Sequence, residues 1–215
     1  MIVSHKYRFI FIKTHKVAGT SIEFALTRFA GEDGIVTPFS VRIDERERER
    51  SGFGVARNYR TEAGEYRAHI PAEEVRNLLG RETFERYFKF SVERNPFDKV
   101  VSLYTWLNRD PKRPLGQSFD DFVAQRRALP VADFDRYCID GKPAMDAMVL
   151  YHDLQAGLDG IAERLGLPER IDLTDIRRKS GYRTSQDYRA YYSPASRTAV
   201  ERDFAREIAE FGFTF

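Results

Sequence analysis

The 215-residue chain has a single cysteine and no long apolar run. Cys138 cannot form an intramolecular disulfide, which excludes a disulfide-stapled scaffold and favours a reducing compartment. No apolar run approaches the roughly 20 residues of a membrane span. Lys6 and Arg8 interrupt the N-terminal apolar stretch where a signal peptide needs its hydrophobic region. We therefore expect a cytoplasmic protein without a membrane span.

The chain also lacks an excess of charge of either sign. Thirty-five Lys and Arg residues face 33 Asp and Glu residues, which gives a formal net charge of +2. A nucleic-acid binder would need a local basic patch, so no nucleic-acid partner is expected. Cysteine and histidine show no zinc spacing, and no metal site is predicted. Hydrophobic residues at 42% and aromatic residues at 13% can bury a core, and the length predicts a single domain over residues 1–215.

Short apolar runs alternate with amphipathic segments. The patterns predict buried strands at residues 8–12, 87–92 and 148–151. They predict helices that begin at Thr20 or Ser21, at Pro71 and at Asn95-Pro96, a helix with an apolar stripe over residues 154–165, and a last helix over residues 200–211. The charged run at residues 42–50 is typical of a solvated loop or helix face. The alternation predicts an α/β fold, three layers deep, with a mainly parallel central sheet.

A loop of small and hydroxyl residues joins the first predicted strand to its helix: Lys13-Thr14-His15-Lys16-Val17-Ala18-Gly19-Thr20-Ser21. Small residues let the backbone approach a phosphate, and a helix N-terminus offers N–H groups and a positive dipole end. Lys16 and the hydroxyls of Thr20 and Ser21 add charge and donors. The residue order differs from that of a Walker A motif, in which the lysine directly precedes the hydroxyl residue. The alternative is an ordinary strand-to-helix turn with a capping threonine and surface lysines.

A second motif, Arg94-Asn95-Pro96 with Ser102, follows the second predicted strand. Arg94 stands at the strand end, and Ser102 lies two turns into the next helix. A guanidinium and a hydroxyl at that spacing can converge on one phosphate. In the alternative interpretation Arg94 pairs with a carboxylate and Ser102 packs between helices.

In this order, the two motifs resemble those of the PAPS-dependent sulfotransferases, most closely the carbohydrate O-sulfotransferase branch with the heparan and chondroitin sulfotransferases. The family has a Lys-x-x-x-Thr-Ser loop for the 5′-phosphosulfate and an Arg-Asn-Pro…Ser segment for the 3′-phosphate. Lys16…Thr20-Ser21 and Arg94…Ser102 match them. His15 stands where the family often has proline. The resemblance covers about two thirds of the chain and leaves out residues 31–66 and 110–143.

The resemblance implies a P-loop-NTPase-like sulfotransferase fold and a sulfonate transfer from PAPS to an acceptor hydroxyl, with PAP as product and no required metal. It implies Lys16 at the bridging oxygen of the leaving phosphate and His69 as the base. Glu65 and Glu93 are the reserve candidates for the base. The cofactor-binding residues that it implies are Lys13, Val17, Ala18, Gly19, Thr20, Ser21, Arg94, Ser102, Lys179 and Arg183. The last two belong to a basic segment that forms either a solvated turn or a loop over the 3′-phosphate.

The acceptor is expected to be a small molecule or a glycan, and residues 31–67 and 110–143 are expected to determine its specificity. The enzyme is expected to be bacterial. The sequence carries no signal for oligomeric state. Two other functions stay open: an ATP-dependent small-molecule kinase, which uses a related strand–loop–helix, and a non-catalytic nucleotide-binding module.

Overall fold

The computed structural model describes residues 1–39, 42–174 and 185–215. Within these ranges the strands are β1 Ile2–Ser4, β2 Phe9–Ile12, β3 Ile35–Val36, β4 Arg60–Thr61, β5 Gly64–Glu65, β6 Phe88–Glu93, β7 Cys138–Ile139, β8 Lys142–Pro143 and β9 Ala147–Leu150. The α-helices in the same ranges are α1 Gly19–Thr27, α2 Arg42–Arg50, α3 Ala72–Leu79, α4 Arg81–Arg86, α5 Pro96–Leu107, α6 Phe119–Ala124, α7 Leu154–Arg164, α8 Pro194–Asp203 and α9 Ala205–Phe211.

The chain divides into two compact units. The sheet unit comprises Met1–Glu93 and Asp135–Arg178, and the helical unit comprises Arg94–Phe134 and Lys179–Phe215. Among the described helices, none is long and apolar enough to cross a bilayer. The single-domain organisation of residues 1–215 stays a prediction.

The sheet unit is built on a five-stranded sheet of order β3-β1-β2-β6-β9. The strands β2, β6 and β9 are parallel, with Ile12 opposite Ser91 and Val92 opposite Val149. The short strands β1 and β3 extend the sheet in antiparallel pairing. The predicted α/β class is therefore confirmed, and the three strands predicted from the sequence form the parallel part of the sheet.

Alternate residues of β2 enter two different hydrophobic clusters, as the pleat of a strand requires. Phe9 and Phe11 pack with α1 and α7, in a cluster that includes Ile22, Phe24, Leu26, Leu158 and Ile161. Ile10 and Ile12 belong to a second cluster with residues of α3 and α4 and the segment before them: Tyr66, Ile70, Val75 and Phe84. The sheet unit thus has helices on both faces, which gives the three layers.

The helical unit has its own core, formed by α5, α6 and α8. It contains Phe97, Val100, Val101, Phe119, Phe122, Val200 and Phe204. Lys99 of α5 lies fully buried in this unit and pairs with the buried Asp133 at 2.8 Å. A carboxylate at this place neutralises a lysine that could not otherwise be buried.

Two local predictions are wrong, and a third is correct only in part. Neither Thr20 nor Ser21 caps α1: the N-cap is Ala18 in the left-handed conformation, so both hydroxyl residues lie inside the first turn. The last predicted helix is two helices, because Phe204 leaves helical geometry at φ −119° and is buried. The charged run at residues 42–50 is helix α2, but Arg48 is fully buried over the Phe39 ring rather than solvated.

Candidate active site

The loop of the first motif, residues 13–21, is called the phosphate loop after its predicted role and begins where β2 ends. Because β2, β6 and β9 are parallel, their carboxyl ends lie at one edge of the sheet, the edge where α/β folds bind ligands. The Thr14 hydroxyl donates a hydrogen bond to the backbone carbonyl of Val92, near the end of β6. This bond fixes the start of the loop to the neighbouring strand.

The loop backbone is sharply curled. Lys16 and Ala18 both have φ 59°, a left-handed conformation that costs energy for residues other than glycine and is concentrated at functional sites. Val17, between them, is fully buried in the sheet unit's core and anchors the turn. The curl ends at Gly19, where α1 begins, and the first turn of α1 has no acidic residue. This geometry suits an oxyanion at the helix N-terminus.

The two lysines of the loop have different surroundings. Lys13 is buried, its ammonium donates to the Glu23 carboxylate, and it lies 5.0 Å from the centre of the Phe39 ring. Its side chain also fills the space beside Gly19, since a Cβ there would lie 2.9 Å from the Lys13 Cε. Lys16 is half-buried. Lys13 is thus buried against a carboxylate, and Lys16 is the less buried of the two lysines.

Glu23 is the centre of this buried charge cluster. It accepts from Lys13 and from the Met1 nitrogen, and it is fully buried. Burial alone raises the pKa of the Glu23 carboxyl, but the positive charge of Lys13, together with that of the Met1 amine when it is protonated, outweighs burial, and the pKa lies below its usual 4.5. Burial lowers the pKa of the Met1 amine to about 5, so Lys13 is the main counter-charge at neutral pH. Glu23 therefore stays ionised and holds Lys13 in place.

His69 lies against the phosphate loop. Its ring stacks on the His15 ring with a centroid distance of 3.9 Å and an interplanar angle of 9°. Its Nδ1 lies 3.2 Å from the Lys13 carbonyl oxygen, and its own carbonyl accepts from Arg136. A carbonyl can only accept, so this bond selects the tautomer with a proton on Nδ1 and a lone pair on Nε2. That tautomer is the one that a general base needs.

The second motif belongs to the helical unit. Arg94 is 8% exposed, and its Nε donates to Asp98 at 2.6 Å. Asn95 is the N-cap of α5, and its side chain accepts from the Phe97 amide at 3.1 Å. Ser102 lies two turns into α5 and is half-buried. Part of the alternative interpretation is correct, because Arg94 does pair with a carboxylate.

The remaining predicted site residues differ in whether the structure describes them and in how buried they are. Lys179 and Arg183 lie outside the described residues. Of the reserve bases, Glu65 is exposed beside Arg60, and Glu93 is fully buried at the end of β6. Among residues 1–39, 42–174 and 185–215, no group of three or more His, Cys, Asp or Glu side chains could hold a metal ion.

Sequence reasoning missed two partners of site residues. Asp98 could have been found, because the helix start at Asn95-Pro96 places this first-turn carboxylate four residues after Arg94. The role of His15 beside His69 had no local signal, because a contact between residues so far apart in the chain depends on the tertiary fold.

Comparison with known proteins finds a family model, a relative of known sequence and a solved structure to which this chain is similar. The Sulfotransferase family model matches residues 1–213. An uncharacterised protein of Archaeoglobus fulgidus is 32% identical over 107 residues, which is 48% of this chain and 88% of that protein. The crystal structure of mouse sulfotransferase SULT7A1 complexed with PAP has a TM-score of 0.52 and 12% identity, and the match covers 97% of this chain and 87% of the mouse chain. At that identity the structural match shows a shared fold.

Proposed function

Since the chain belongs to the sulfotransferase family, we propose that it transfers a sulfonate from PAPS to an acceptor hydroxyl and leaves PAP as product. One observation carries the proposal: the curled loop from Lys13 to Ser21 ends at the N-terminus of α1 and has the His69 ring stacked on it. An oxyanion site and a candidate base thus lie together within the sheet unit. PAP in the mouse structure supports the choice of donor.

The loop binds the 5′-phosphosulfate end of PAPS, which supplies the activated sulfonate. Ala18 and Gly19 let the backbone approach the oxyanion, and the first-turn amides of α1 with the Thr20 and Ser21 hydroxyls donate hydrogen bonds. Lys16 stabilises the negative charge on the bridging oxygen of the leaving phosphate. Fixed donors of this kind carry most of the catalysis in transfers of phosphoryl-like groups.

Arg94 and Ser102 bind the 3′-phosphate. Asp98 holds the Arg94 Nε, which reduces the number of orientations the guanidinium can adopt and so lowers the entropy lost on binding. Lys179 and Arg183 are proposed as further phosphate contacts. A kinase has no use for a 3′-phosphate site, so this pair distinguishes the donor.

His69 takes the proton of the acceptor hydroxyl on Nε2. The acceptor oxygen forms its bond to sulfur as the bond from sulfur to the bridging oxygen breaks, and the electron pair of that bond leaves with PAP. Lys16 offsets the charge that develops there. The His69 imidazolium keeps its Nδ1–H bond to the Lys13 carbonyl throughout.

The acceptor class within this proposal is a carbohydrate or glycoconjugate, selected by residues 31–67 and 110–143. The support is the resemblance of the two phosphate motifs to the carbohydrate O-sulfotransferases. A cytoplasmic location is part of the same proposal and is supported by the single, buried cysteine, which is typical of a reducing compartment. A bacterial source stays a prediction.

Calorimetry with PAP, ADP and ATP tests the donor. PAP should bind about 10- to 100-fold more tightly than ADP without Mg²⁺, because a charge-assisted hydrogen bond to the 3′-phosphate contributes about 1.5–3 kcal/mol. Preference for ATP with Mg²⁺ would favour a kinase. Tight PAP binding without transfer to any of a panel of sugars and small alcohols would favour a non-catalytic module.

His69→Ala tests the base. The variant should lose about 10²- to 10⁴-fold in kcat while PAP affinity stays unchanged. The acidic limb of the pH–rate profile should disappear with the imidazole. If His69 only orders its turn, the variant instead loses thermal stability, and its remaining activity keeps the wild-type pH profile.

A further inference from the structure

The His15 ring lies beside the candidate base and has no role in the proposed function. It belongs to the phosphate loop, directly before Lys16, and it lies parallel to the His69 ring at 3.9 Å. Both rings are half-buried. A parallel arrangement at this distance covers one face of the His69 ring with the other ring.

We infer that His15 is a positioning residue: its ring face and the Lys13 carbonyl together fix the plane and the rotation of the His69 imidazole, so that Nε2 is held in one place for the acceptor proton. The inference rests on the proposed function, in which His69 is the base. It goes beyond that function by assigning a role to a loop residue that contacts the base and not the reacting atoms.

The two contacts restrain different motions. A hydrogen bond from Nδ1 at 3.2 Å selects one ring flip and one tautomer, but it leaves the ring able to swing about the bond. A flat ring stacked on the imidazole opposes that swing, because tilting would break the close ring contact. Stacked aromatic pairs stabilise an arrangement beyond what their buried area contributes. One contact therefore sets which ring nitrogen carries the proton, and the other sets the plane in which the ring lies.

The place of His15 in the chain links the base to the sulfonate site. Its neighbour Lys16 and the nearby Ala18 have the left-handed backbone that curls the loop. The Lys13 carbonyl that orients His69 belongs to the same loop. Any movement of the loop therefore moves both restraints on His69 together, and the base follows the oxyanion site.

Three substitutions at His15 test the inference. His15→Phe keeps a flat ring without a titratable nitrogen, His15→Leu keeps apolar bulk without a flat face, and His15→Ala removes both. We expect kcat to fall by about 3- to 10-fold in His15→Ala and His15→Leu, and to return to within about twofold of wild type in His15→Phe. PAP affinity should be unchanged in all three. His152→Ala, at an exposed histidine beside Asp153, is the matched control and should behave like wild type.

A second measurement does not depend on turnover. The chain has four histidines, so ¹⁵N spectra of the imidazole nitrogens can be assigned with single variants. In wild type and His15→Phe the stacked ring keeps Nδ1 aligned with the Lys13 carbonyl, so His69 should be mainly the Nδ1–H tautomer. In His15→Ala the imidazole can swing out of that alignment, which weakens the hydrogen bond, and the spectrum should show a mixture of tautomers. A merely structural role of His15 would not change this signature.

Either of two results would overturn the inference: His15→Phe as impaired as His15→Ala, or a His69 spectrum that is the same in wild type and His15→Ala. Failure of the proposed function has a different signature, since wild type would then show neither PAP binding nor sulfonate transfer. In that case the ¹⁵N spectra still decide whether His15 orients His69.

Discussion

At the residue scale, the two loop lysines are predicted to have separable roles. Lys16→Ala should lower kcat by about 10²- to 10³-fold with a small change in PAP affinity, because a preorganised charge at the leaving oxygen acts mainly in the transition state. Lys13→Met should instead lower the free energy of unfolding by roughly 3–5 kcal/mol, because it leaves Glu23 charged and buried without that partner.

Steady-state kinetics and denaturant unfolding on both variants measure the separation. A stable Lys13→Met protein with the larger loss of kcat would show that Lys13, and not Lys16, is the catalytic lysine. The structural basis of the expectation is the burial of Lys13 against Glu23 and Phe39.

Arg94 carries a second prediction at this scale. Arg94→Ala should weaken PAP binding by about 10- to 100-fold and leave adenosine 5′-phosphosulfate binding nearly unchanged, because only PAP has the 3′-phosphate. Asp98→Asn should weaken PAP binding by a smaller factor, since it loosens the guanidinium without removing it. Equal losses for both ligands in Arg94→Ala would contradict the assignment. Calorimetry on the folded variants gives both numbers.

At the element scale, two glycines of α7 give a matched pair. A Cβ on Gly157 would lie 2.5 Å from the Val149 Cγ1 of β9, whereas nothing lies within 4 Å of a Cβ on Gly160. Gly157 therefore sets how closely α7 packs on the sheet, whereas a Cβ on Gly160 would meet no neighbouring atom. Gly157→Ala should lower the free energy of unfolding by about 1–3 kcal/mol, as overpacking does. Gly160→Ala should raise it by about 0.5–1 kcal/mol, because alanine favours the helix.

Chemical denaturation of the two variants measures whether their changes in the free energy of unfolding have opposite signs. Both substitutions add one methyl group to the same helix, so each is the control for the other. Two changes of the same sign would mean that α7 does not pack on β9 as described.

At the scale of the whole molecule, the buried charge cluster predicts an acid sensitivity. The pKa of Glu23 lies below 4.5 in the folded protein because nearby positive charges outweigh its burial. The unfolded chain therefore takes up the proton first, so this contribution to stability is complete above about pH 4.5 and is lost as the pH falls through the folded pKa.

Melting curves followed by circular dichroism across the acidic range test this dependence. Glu23→Gln should melt at a lower temperature at neutral pH, because Lys13 loses its counter-charge, and its melting temperature should change less on acidification than that of wild type. An identical acid profile for the two proteins would show that other carboxyl groups control the acid sensitivity.

The sequence by itself determined the parallel strands and the helix starts at Pro71 and Asn95-Pro96, and it contains the two motifs on which the proposed phosphate contacts rest. Each of these depends on neighbours a few residues apart: an apolar run, a proline in a first turn, or a lysine at fixed spacing from a hydroxyl. Such signals survive in any fold that forms the same local elements. The family match over residues 1–213 agrees with what these short patterns indicated.

Only the tertiary structure decided which lysine is buried, which residue caps α1 and what orients His69. Lys13 and Lys16 are chemically alike, and the difference between them is Glu23, which α1 brings beside Lys13. Ala18 takes the cap position because the loop must curl where the chain leaves β2. His15 meets His69 because the folding of the sheet unit brings two distant segments together, and no local pattern encodes a contact of that range.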